Sequence, residues 1–390
     1  MSTSHSPEIQ VLLIACAVEL SEAKKATLNQ FLERNPINWD RLYTLAVRHK
    51  VAPFLYRTLQ EIPATPESLL ATLQNDCRTI ATDNLLKLHQ YKLLAKRFAD
   101  HDIDHFPLKG IFLASSCYPD SSLRGIGDLD VLVAKDAVFK SVRLLKADDY
   151  HLDQKSTLYM QYDEKVMFSD LYEVSLFKPF FNNSGFDLDL HWEFICFNKQ
   201  YKVFSLPEIR SRSALSIEYQ IVLTVTHHGV TGIWQTISYV NDLYFLVNNR
   251  PIDWAWLLQE FRHYGLDQIF LVGLFWCQQI WELPLPPTIQ EMLTAKRIQL
   301  LAEEYSKNWE TSEAIASSKL ILGQLTFFLK AQTQFSKRLK VLLTFGTSRI
   351  IRYSTFKIGK RTIYIPKQLG FITVFIRAIR SFLRFIPAFR

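Results

Sequence analysis

The chain has 390 residues, which is enough for about two or three domains with hydrophobic cores of their own. Hydrophobic residues make up 48% of it, so a disordered chain is excluded, and only 12 glycines favour helices over a turn-rich all-β protein. The five cysteines lie far apart without a C-x-x-C pair, which argues against a zinc site or a disulfide framework.

The net charge of +7 is distributed very unevenly along the chain. Residues 314–390 carry 15 Lys and Arg and no Asp or Glu, whereas the remaining 313 residues carry 30 basic and 38 acidic side chains. A contact with an anionic partner or surface is therefore expected at the C-terminal fifth of the chain, if anywhere.

Neither the longest apolar run nor the N-terminal segment indicates a membrane-spanning protein. The longest apolar run, from Ile269 to Trp281, is interrupted by Gln278 and Gln279 and is too short to cross a bilayer. The N-terminus has no basic segment before its short apolar run, so we expect no signal peptide and a cytoplasmic protein.

Residues 1–100 are predicted to form an N-terminal helical region, because apolar residues recur at spacings of three and four. Asn38 is a candidate N-cap for a helix that starts at Trp39. The nearby His49 is more simply explained as a structural histidine than as a catalytic one.

Residues 101–200 are predicted to form an α/β core. A strand begins near Asp104, and a helix over residues 110–118 precedes an acidic strand. The remaining predicted elements are a helix at Ala137–Leu145 and strands around Met167–Ser169, Leu171–Phe177 and Phe186–Phe194.

The acidic strand, Gly127–Val133, alternates carboxylate and aliphatic residues, which places Asp128 and Asp130 on one face. Their Cα atoms would lie about 6.6 Å apart at the usual rise of a strand. Two carboxylates at that distance repel each other, so the pair favours a bound cation. A simple acidic surface strand is the alternative for a D-x-D pattern alone.

The strand Phe186–Phe194 alternates in the same way. Four polar residues share one face, and the apolar residues share the other; the polar ones are Asp187, Asp189, His191 and Glu193. His191 is a candidate acid, base or metal ligand, and orienting a carboxylate is its simplest role.

Residues that suit an anion precede the acidic strand. Lys109 and Gly110 open a predicted helix, whose N-terminal amides attract phosphate, and Arg124 adds positive charge.

These motifs together resemble the nucleotidyltransferase fold of the DNA polymerase β superfamily, and more specifically an uncharacterised bacterial family of nucleotidyltransferase-like proteins. The similar segments are Leu108-Lys109-Gly110, Tyr118-Pro119, Arg124–Val133, the D-L-H-W of Asp189–Trp192, and two helical blocks at Trp39–Pro53 and Leu223–Trp234. The resemblance implies an α+β fold, in which a small mixed nucleotidyltransferase sheet is flanked by N-terminal and C-terminal helical regions.

The resemblance also implies a reaction: transfer of a nucleoside monophosphate from an NTP to an acceptor hydroxyl, with release of pyrophosphate. Asp128, Asp130 and Asp189 would hold Mg²⁺ (or Mn²⁺), with Asp187 as the alternative third acid. Lys109, Gly110 and Arg124 would contact the nucleotide, and Asp189 would take the proton.

One departure from the superfamily concerns the phosphate-binding serine. The superfamily usually has Gly-Ser about ten residues before D-x-D, whereas Lys109-Gly110 lies 18 residues before Asp128. Ser121 and Ser122 are the nearby serines.

Residues 201–310 are predicted to form a helical domain, in which His228 and Asp242 either face the cleft or are hydrogen-bonded inside the helices. Residues 311–390 are predicted to form a basic helical C-terminal region. A helix at Phe371–Phe389 would align Arg377, Arg380 and Arg384, either for peripheral contact with a membrane or partner or for docking on the acidic body. Nucleic acid is not excluded as a partner.

A second hypothesis has a different function class. An inactive nucleotidyltransferase-like protein would keep the sheet as a binding module or scaffold, and the basic tail would make the contact with a membrane or partner. The presence of all three acids argues for the enzyme.

Overall fold

The computed structural model describes most of the chain. The described residues are 5–17, 21–161, 164, 167–168, 171–180, 185–196, 201–212, 216–248, 250–312, 317–351, 355–358, 361–364, 369, 371–372 and 375. The predicted tail helix Phe371–Phe389 lies outside them, apart from Phe371, Ile372 and Phe375.

The N-terminal region consists of helices. They are α1 (Pro7–Ala15), α2 (Glu22–Arg34), α3 (Trp39–Arg48), α4 (Ala52–Leu59) and α5 (Glu67–Ala99). The predicted N-cap is confirmed, because the side-chain oxygen of Asn38 accepts a hydrogen bond of 3.0 Å from the amide of Arg41.

His49, at the end of α3, is fully buried and joins distant parts of the chain. Its Nδ1 lies 3.2 Å from the amide of Ile237, which donates to it, so its Nε2–H donates to the carbonyl of Trp309 at 3.0 Å. Burial lowers the pKa of His49 to about 4, which keeps the ring neutral. The structural role expected for this histidine is confirmed.

A five-stranded mixed sheet follows. Its strands, in chain order, are β1 (His105–Pro107), β2 (Leu129–Val133), β3 (His151–Leu152), β4 (Glu173–Pro179) and β5 (Gly185–His191). Their spatial order is β1-β2-β5-β4-β3, and β2 and β5 are parallel while the other pairs are antiparallel. The sheet lies among helices, so the predicted α+β fold is confirmed.

Three helices accompany the sheet: α6 (Lys109–Ser116), α7 (Val138–Ala147) and α8 (Gln154–Met160). The strand predicted around Met167 is wrong, because Met167 and Phe168 are helical. A short apolar run has no period that distinguishes a buried strand from a buried helix turn.

One face of the sheet forms a hydrophobic core with α5 and α7. The apolar face of β5 is buried there as its alternation predicts, and the β2 side chains Leu129, Val131 and Val133 pack into the same core. Phe98 of α5 and Val142 of α7 cover it. Burying this face fixes the register of the strands, because a slip of one residue would turn the carboxylates inward.

The rest of the described chain is mainly helical. Its elements are β6 (Phe194–Cys196), β7 (Tyr201–Phe204), α9 (Leu206–Ser211), α10 (Ser216–Thr224), a π-helical turn (Val225–Thr231), α11 (Ile237–Val247), α12 (Trp254–Tyr264), α13 (Asp267–Trp281), α14 (Pro287–Leu293), α15 (Lys296–Ser306), α16 (Ser317–Ala331), α17 (Phe335–Ile351), β8 (Thr355–Ile358) and β9 (Arg361–Tyr364). The β8–β9 hairpin was not predicted.

A second hydrophobic core joins the N-terminal helices to these later ones. Phe54 of α4 stacks on Phe245 of α11 at a ring distance of 5.9 Å, and Tyr118 lies 4.2 Å from the same Phe245 ring. The N-terminal and later helices therefore share one core, to which Leu132 of β2 also belongs. The predicted division into four regions stays a prediction.

Among the described residues, no helix has the length and apolarity needed to cross a membrane.

Candidate active site

The two carboxylates of the D-x-D motif lie in different environments. Asp130, inside β2, is 1% exposed, whereas Asp128 lies just before the strand and is exposed. Partial burial of the Asp128 carboxyl and the negative charge of Asp130 raise the pKa of Asp128. Of the two carboxylates predicted to share one face of the strand, Asp130 is therefore inside the protein and Asp128 is at its surface.

The neighbouring strand β5 brings a second acid and a histidine to Asp130. Asp189 is the register partner of Asp130 across the parallel pair β2–β5. His191 Nε2 lies 2.9 Å from Asp130 Oδ1, and His191 Nδ1 lies 3.2 Å from Glu173 Oε2 on β4. One donor atom each from Asp130, Asp189 and His191 lies within 4.8 Å of the others, which is close enough for one metal ion.

Asp130 already has a cationic neighbour in the chain itself. Lys109 Nζ lies 2.7 Å from Asp130 Oδ1, the same oxygen that His191 contacts. Burial alone would raise the pKa of Asp130, but the Lys109 ammonium and the hydrogen bond with His191 hold it well below its usual range. The carboxylate is thus ionised, and an ammonium supplies the positive charge that the sequence pattern calls for.

Lys109 reaches Asp130 from an unusual backbone conformation. Its φ is +45°, in the left-handed region that costs a non-glycine residue of the order of 1 kcal/mol or more. This residue lies where β1 ends and α6 begins, and from there its side chain reaches Asp130 near the start of β2.

Arg124, predicted to contact phosphate, is held by a buried acid. Its Nε and Nη2 lie 2.9 and 3.0 Å from the two oxygens of Asp242 on α11. Asp242 also accepts hydrogen bonds from Tyr118 Oη at 2.6 Å and His228 Nε2 at 2.8 Å. Burial would raise the pKa of Asp242, but Arg124 holds it far below its usual range.

Gly110 is explained by its distance to Arg124. A Cβ at position 110 would lie 2.9 Å from Arg124 Nη1, so a side chain there would displace the guanidinium. The glycine therefore leaves the space in which the Arg124 guanidinium binds Asp242.

A residue that the sequence analysis missed fixes the loop between α6 and β2. The amide of Asn84, on α5, donates to the carbonyls of Ser121 at 2.6 Å and Arg124 at 2.9 Å. Its oxygen accepts from the amide of Ile126 at 2.8 Å. Three hydrogen bonds from one buried side chain position the segment that carries both Arg124 and Asp128.

Two consecutive histidines occupy the π-helical turn. His227 Nδ1 lies 2.9 Å from His228 Nδ1, and the ring of His228 stacks on Tyr239 at 4.2 Å. Burial is the largest cause of the lowered pKa of both histidines. The sequence analysis named only His228 as a candidate cleft residue, although the T-H-H-G segment also contains His227.

These groups surround a cavity of about 250 Å³ between the sheet and the later helices. Five of the six predicted site residues line it, namely Asp128, Asp130, Lys109, Gly110 and Arg124, and His227, His228 and Asp242 line it as well. Asp189, on β5, pairs with Asp130 of β2 and is not a lining residue, while Asp187 is exposed two residues earlier on β5.

The donor groups suit a divalent cation. Carboxylate oxygens are the preferred ligands of Mg²⁺ and Mn²⁺, whereas an imidazole suits softer ions such as Zn²⁺ or Fe²⁺. Asp130 and Asp189 provide the oxygens, and His191 provides the imidazole. A cation at Asp130 Oδ1 would have to share that oxygen with Lys109 or displace it.

Comparison with known families gives a match over most of the chain. The model of a family described as "Uncharacterised nucleotidyltransferase" matches residues 35–282, which include every residue of the site. No curated protein and no solved structure matches the chain.

Proposed function

Because the chain belongs to the uncharacterised nucleotidyltransferase family, we propose that it transfers a nucleoside monophosphate from an NTP to an acceptor hydroxyl and releases pyrophosphate. The observation that carries the proposal is the group formed by Asp130, Asp189 and His191, of which Asp130 lines a cavity that Lys109 and Arg124 also line. Acidic and basic groups that converge on one cavity suit a metal-bound triphosphate.

Asp128, Asp130 and Asp189 would hold Mg²⁺ (or Mn²⁺), with His191 as a further ligand or as the group that orients Asp130. The bound cation would neutralise the triphosphate and make the acceptor hydroxyl more acidic. Asp189 is the first candidate to take the proton of that hydroxyl.

The basic residues would bind the nucleotide. Lys109 is within reach of Asp130, so its ammonium can move from that carboxylate to a phosphate when a cation takes its place. Arg124 is fixed by Asp242 and keeps its positive charge at the cavity wall, where it would face the leaving pyrophosphate. The catalytic contributions would be positioning and electrostatic stabilisation.

Label transfer tests the proposal and the choice of the third acid. The protein is incubated with each α-labelled NTP, Mg²⁺ or Mn²⁺ and a lysate of the source cell, and labelled products are followed. Asp189→Ala is expected to abolish transfer while leaving nucleotide binding largely intact, because its proposed role lies in the transition state. Asp187→Ala is the matched control, since it removes an exposed carboxylate from the same strand.

If Asp187→Ala abolishes transfer and Asp189→Ala does not, Asp187 is the third acid. If the wild-type protein transfers no label from any NTP, the proposed activity is wrong.

One observation favours the inactive alternative. The buried Lys109–Asp130 pair places a protein cation where the enzyme would need a metal, as expected of a binding module that no longer uses one. The two functions differ in one measurable property, because a scaffold of this kind would not be stabilised by a divalent cation together with an NTP.

Peripheral contact with an anionic membrane is a further proposal, supported by α17. Phe335, Leu339 and Leu342 are exposed and share one face of this helix at spacings of four and three. Three basic residues are interspersed with them, Lys337, Arg338 and Lys340. Such a helix combines an apolar face with attraction to anionic lipid.

Sedimentation with vesicles tests the membrane contact. The protein should bind anionic vesicles at low salt, dissociate as salt rises and ignore neutral vesicles, because each basic residue near an anionic surface contributes about 1 kcal/mol that salt screens. Leu339→Glu with Leu342→Glu should weaken this binding, whereas Leu300→Glu, at an exposed leucine of α15, should not.

A chain truncated at Gly370 separates the tail from α17. Binding that persists without the tail assigns the contact to α17, and binding that disappears assigns it to the tail. Equal binding of neutral and anionic vesicles would contradict the electrostatic part of the proposal.

A further inference from the structure

Two histidines of the cavity have no role in the reaction as proposed so far. His227 and His228 form a chain of hydrogen bonds that ends on Asp242: His227 Nδ1 to His228 Nδ1 at 2.9 Å, then His228 Nε2 to Asp242 Oδ2 at 2.8 Å. Both histidines lie in the π-helical turn, and their ring centroids are 5.0 Å apart.

The direction of donation along these hydrogen bonds follows from the protonation state of Asp242, the residue at which they end. Asp242 is ionised, since Arg124 binds both of its oxygens, so it can only accept, and His228 Nε2 must carry a hydrogen. In a neutral His228 the Nδ1 atom is then an acceptor, so the hydrogen between the two rings belongs to His227 Nδ1. This leaves His227 Nε2 with a lone pair.

Both histidines are neutral for a physical reason. Burial lowers the pKa of each ring, and the charges of Lys109 and Arg124 act in the same direction. For His228 these effects outweigh the Asp242 carboxylate, which alone would raise its pKa. The alternative chain, with a doubly protonated His228, would place a cation beside these two cations.

The position of His227 matches a role at the reacting group. It is half-buried and lines the same cavity as Asp128, Asp130 and Lys109, whereas Asp189 is not among the residues described as lining that cavity. A hydroxyl in the cavity can therefore contact the His227 ring, and Asp189 stays with Asp130 as a candidate metal ligand.

We propose that His227 Nε2, in place of Asp189, accepts the proton of the acceptor hydroxyl, and that His228 and Asp242 are positioning residues that hold its ring. The inference rests on the proposed nucleotidyl transfer and assigns its general base. It restricts the acceptor to a molecule whose hydroxyl can enter the cavity between the sheet and the π-helical turn.

The step balances without a further reactant. The acceptor O–H bond breaks and its proton moves to His227 Nε2, while the oxygen forms a bond to the α-phosphorus of the NTP. The bond from that phosphorus to the bridging oxygen breaks, and pyrophosphate leaves with the electron pair. His227 then carries the proton until it is released to water.

The surroundings hold the relay in place. Tyr239 stacks on His228 with the ring planes 10° apart, and Tyr118 and Arg124 fix the Asp242 carboxylate. A Cβ at Gly229 would lie 2.6 Å from Ile269 Cγ2, so the residue after His228 has to be a glycine for the turn to pack.

Chemical rescue tests the proposal. Label transfer is measured for the full chain, for His227→Ala and for His227→Gln, with and without added imidazole. Both variants should lose about 100-fold or more of the transfer rate, as general bases contribute about 10²–10⁴-fold, and imidazole should restore His227→Ala by about tenfold. The melting-temperature increase caused by Mn²⁺ with a nonhydrolysable NTP should stay the same in both variants, which shows that they fold and bind nucleotide.

The possible outcomes separate this inference from the proposed function. Wild-type protein that transfers no label overturns the proposed function and, with it, the inference. Wild-type protein that transfers label, together with a loss below about tenfold in either variant or no rescue by imidazole, overturns the inference alone. Imidazole should not rescue Asp189→Ala, because that residue is assigned to the metal.

Discussion

Asp130→Asn is expected to abolish nucleotidyl transfer and the stabilisation of the protein by a divalent cation with an NTP. Asp130 is the residue on which Lys109, His191 and the candidate metal group converge. Losing about 4 kcal/mol of transition-state stabilisation lowers a rate about a thousandfold, and metal-assisted charge stabilisation is of that order.

The measurement is a thermal unfolding series with Mg²⁺ or Mn²⁺ and a nonhydrolysable NTP. A ligand at about 100 times its Kd stabilises the native state by about 2.7 kcal/mol, so the wild-type melting temperature should rise. Asp187→Asn is the control and should keep the rise. An unchanged rise in Asp130→Asn would place the metal elsewhere.

Asp242→Ala is expected to destabilise the protein by about 3–5 kcal/mol, because it leaves the Arg124 guanidinium, whose side chain is only 15% exposed, without its buried partner. Tyr118 and His228 lose a hydrogen-bond acceptor in the same variant. Denaturant unfolding, with the free energy of unfolding extrapolated to water, measures the effect.

The chain contains a matched control for this experiment. Arg210 binds Asp104 through Nε and Nη2 at 2.9 and 2.7 Å, the same two-point geometry as Arg124 with Asp242, but on the surface. The exposed pair is expected to contribute no more than about 1 kcal/mol, so Asp104→Ala should change the stability little. Equal effects of the two substitutions would contradict burial as the cause.

The Asp242 effect also has a predicted pH dependence. The pKa of Asp242 in the folded protein is below its unfolded value of about 3.9, so its contribution to stability is fully present above that value. It is lost as the pH falls through the folded-state pKa. The difference in stability between the wild-type protein and Asp242→Ala should therefore narrow in acid.

The sequence by itself determined the α+β class and the course of the strands that carry the acids. Alternation at period two places Leu188 and Leu190 in the core and Asp189 on the opposite face, because successive side chains of a strand point to opposite sides. Asn38 was recognisable as an N-cap for an equally local reason, since its partner lies three residues along the chain. Family membership followed from short motifs, each of which is contiguous in the sequence.

Only the tertiary structure decided which of these residues meet. The partner of Arg124 is Asp242, 118 residues later, and the loop between α6 and β2 is anchored by Asn84 on α5. Neither pairing leaves a periodic signal, because the contacts depend on how helices pack against the sheet. The same holds for the contact between the Lys109 ammonium and Asp130, because the sequence pattern predicted only that some cation would lie beside the carboxylates. The direction of the hydrogen-bond chain through His227 likewise exists only once Asp242 is fixed by Arg124, since a tautomer is set by the partners of both ring nitrogens.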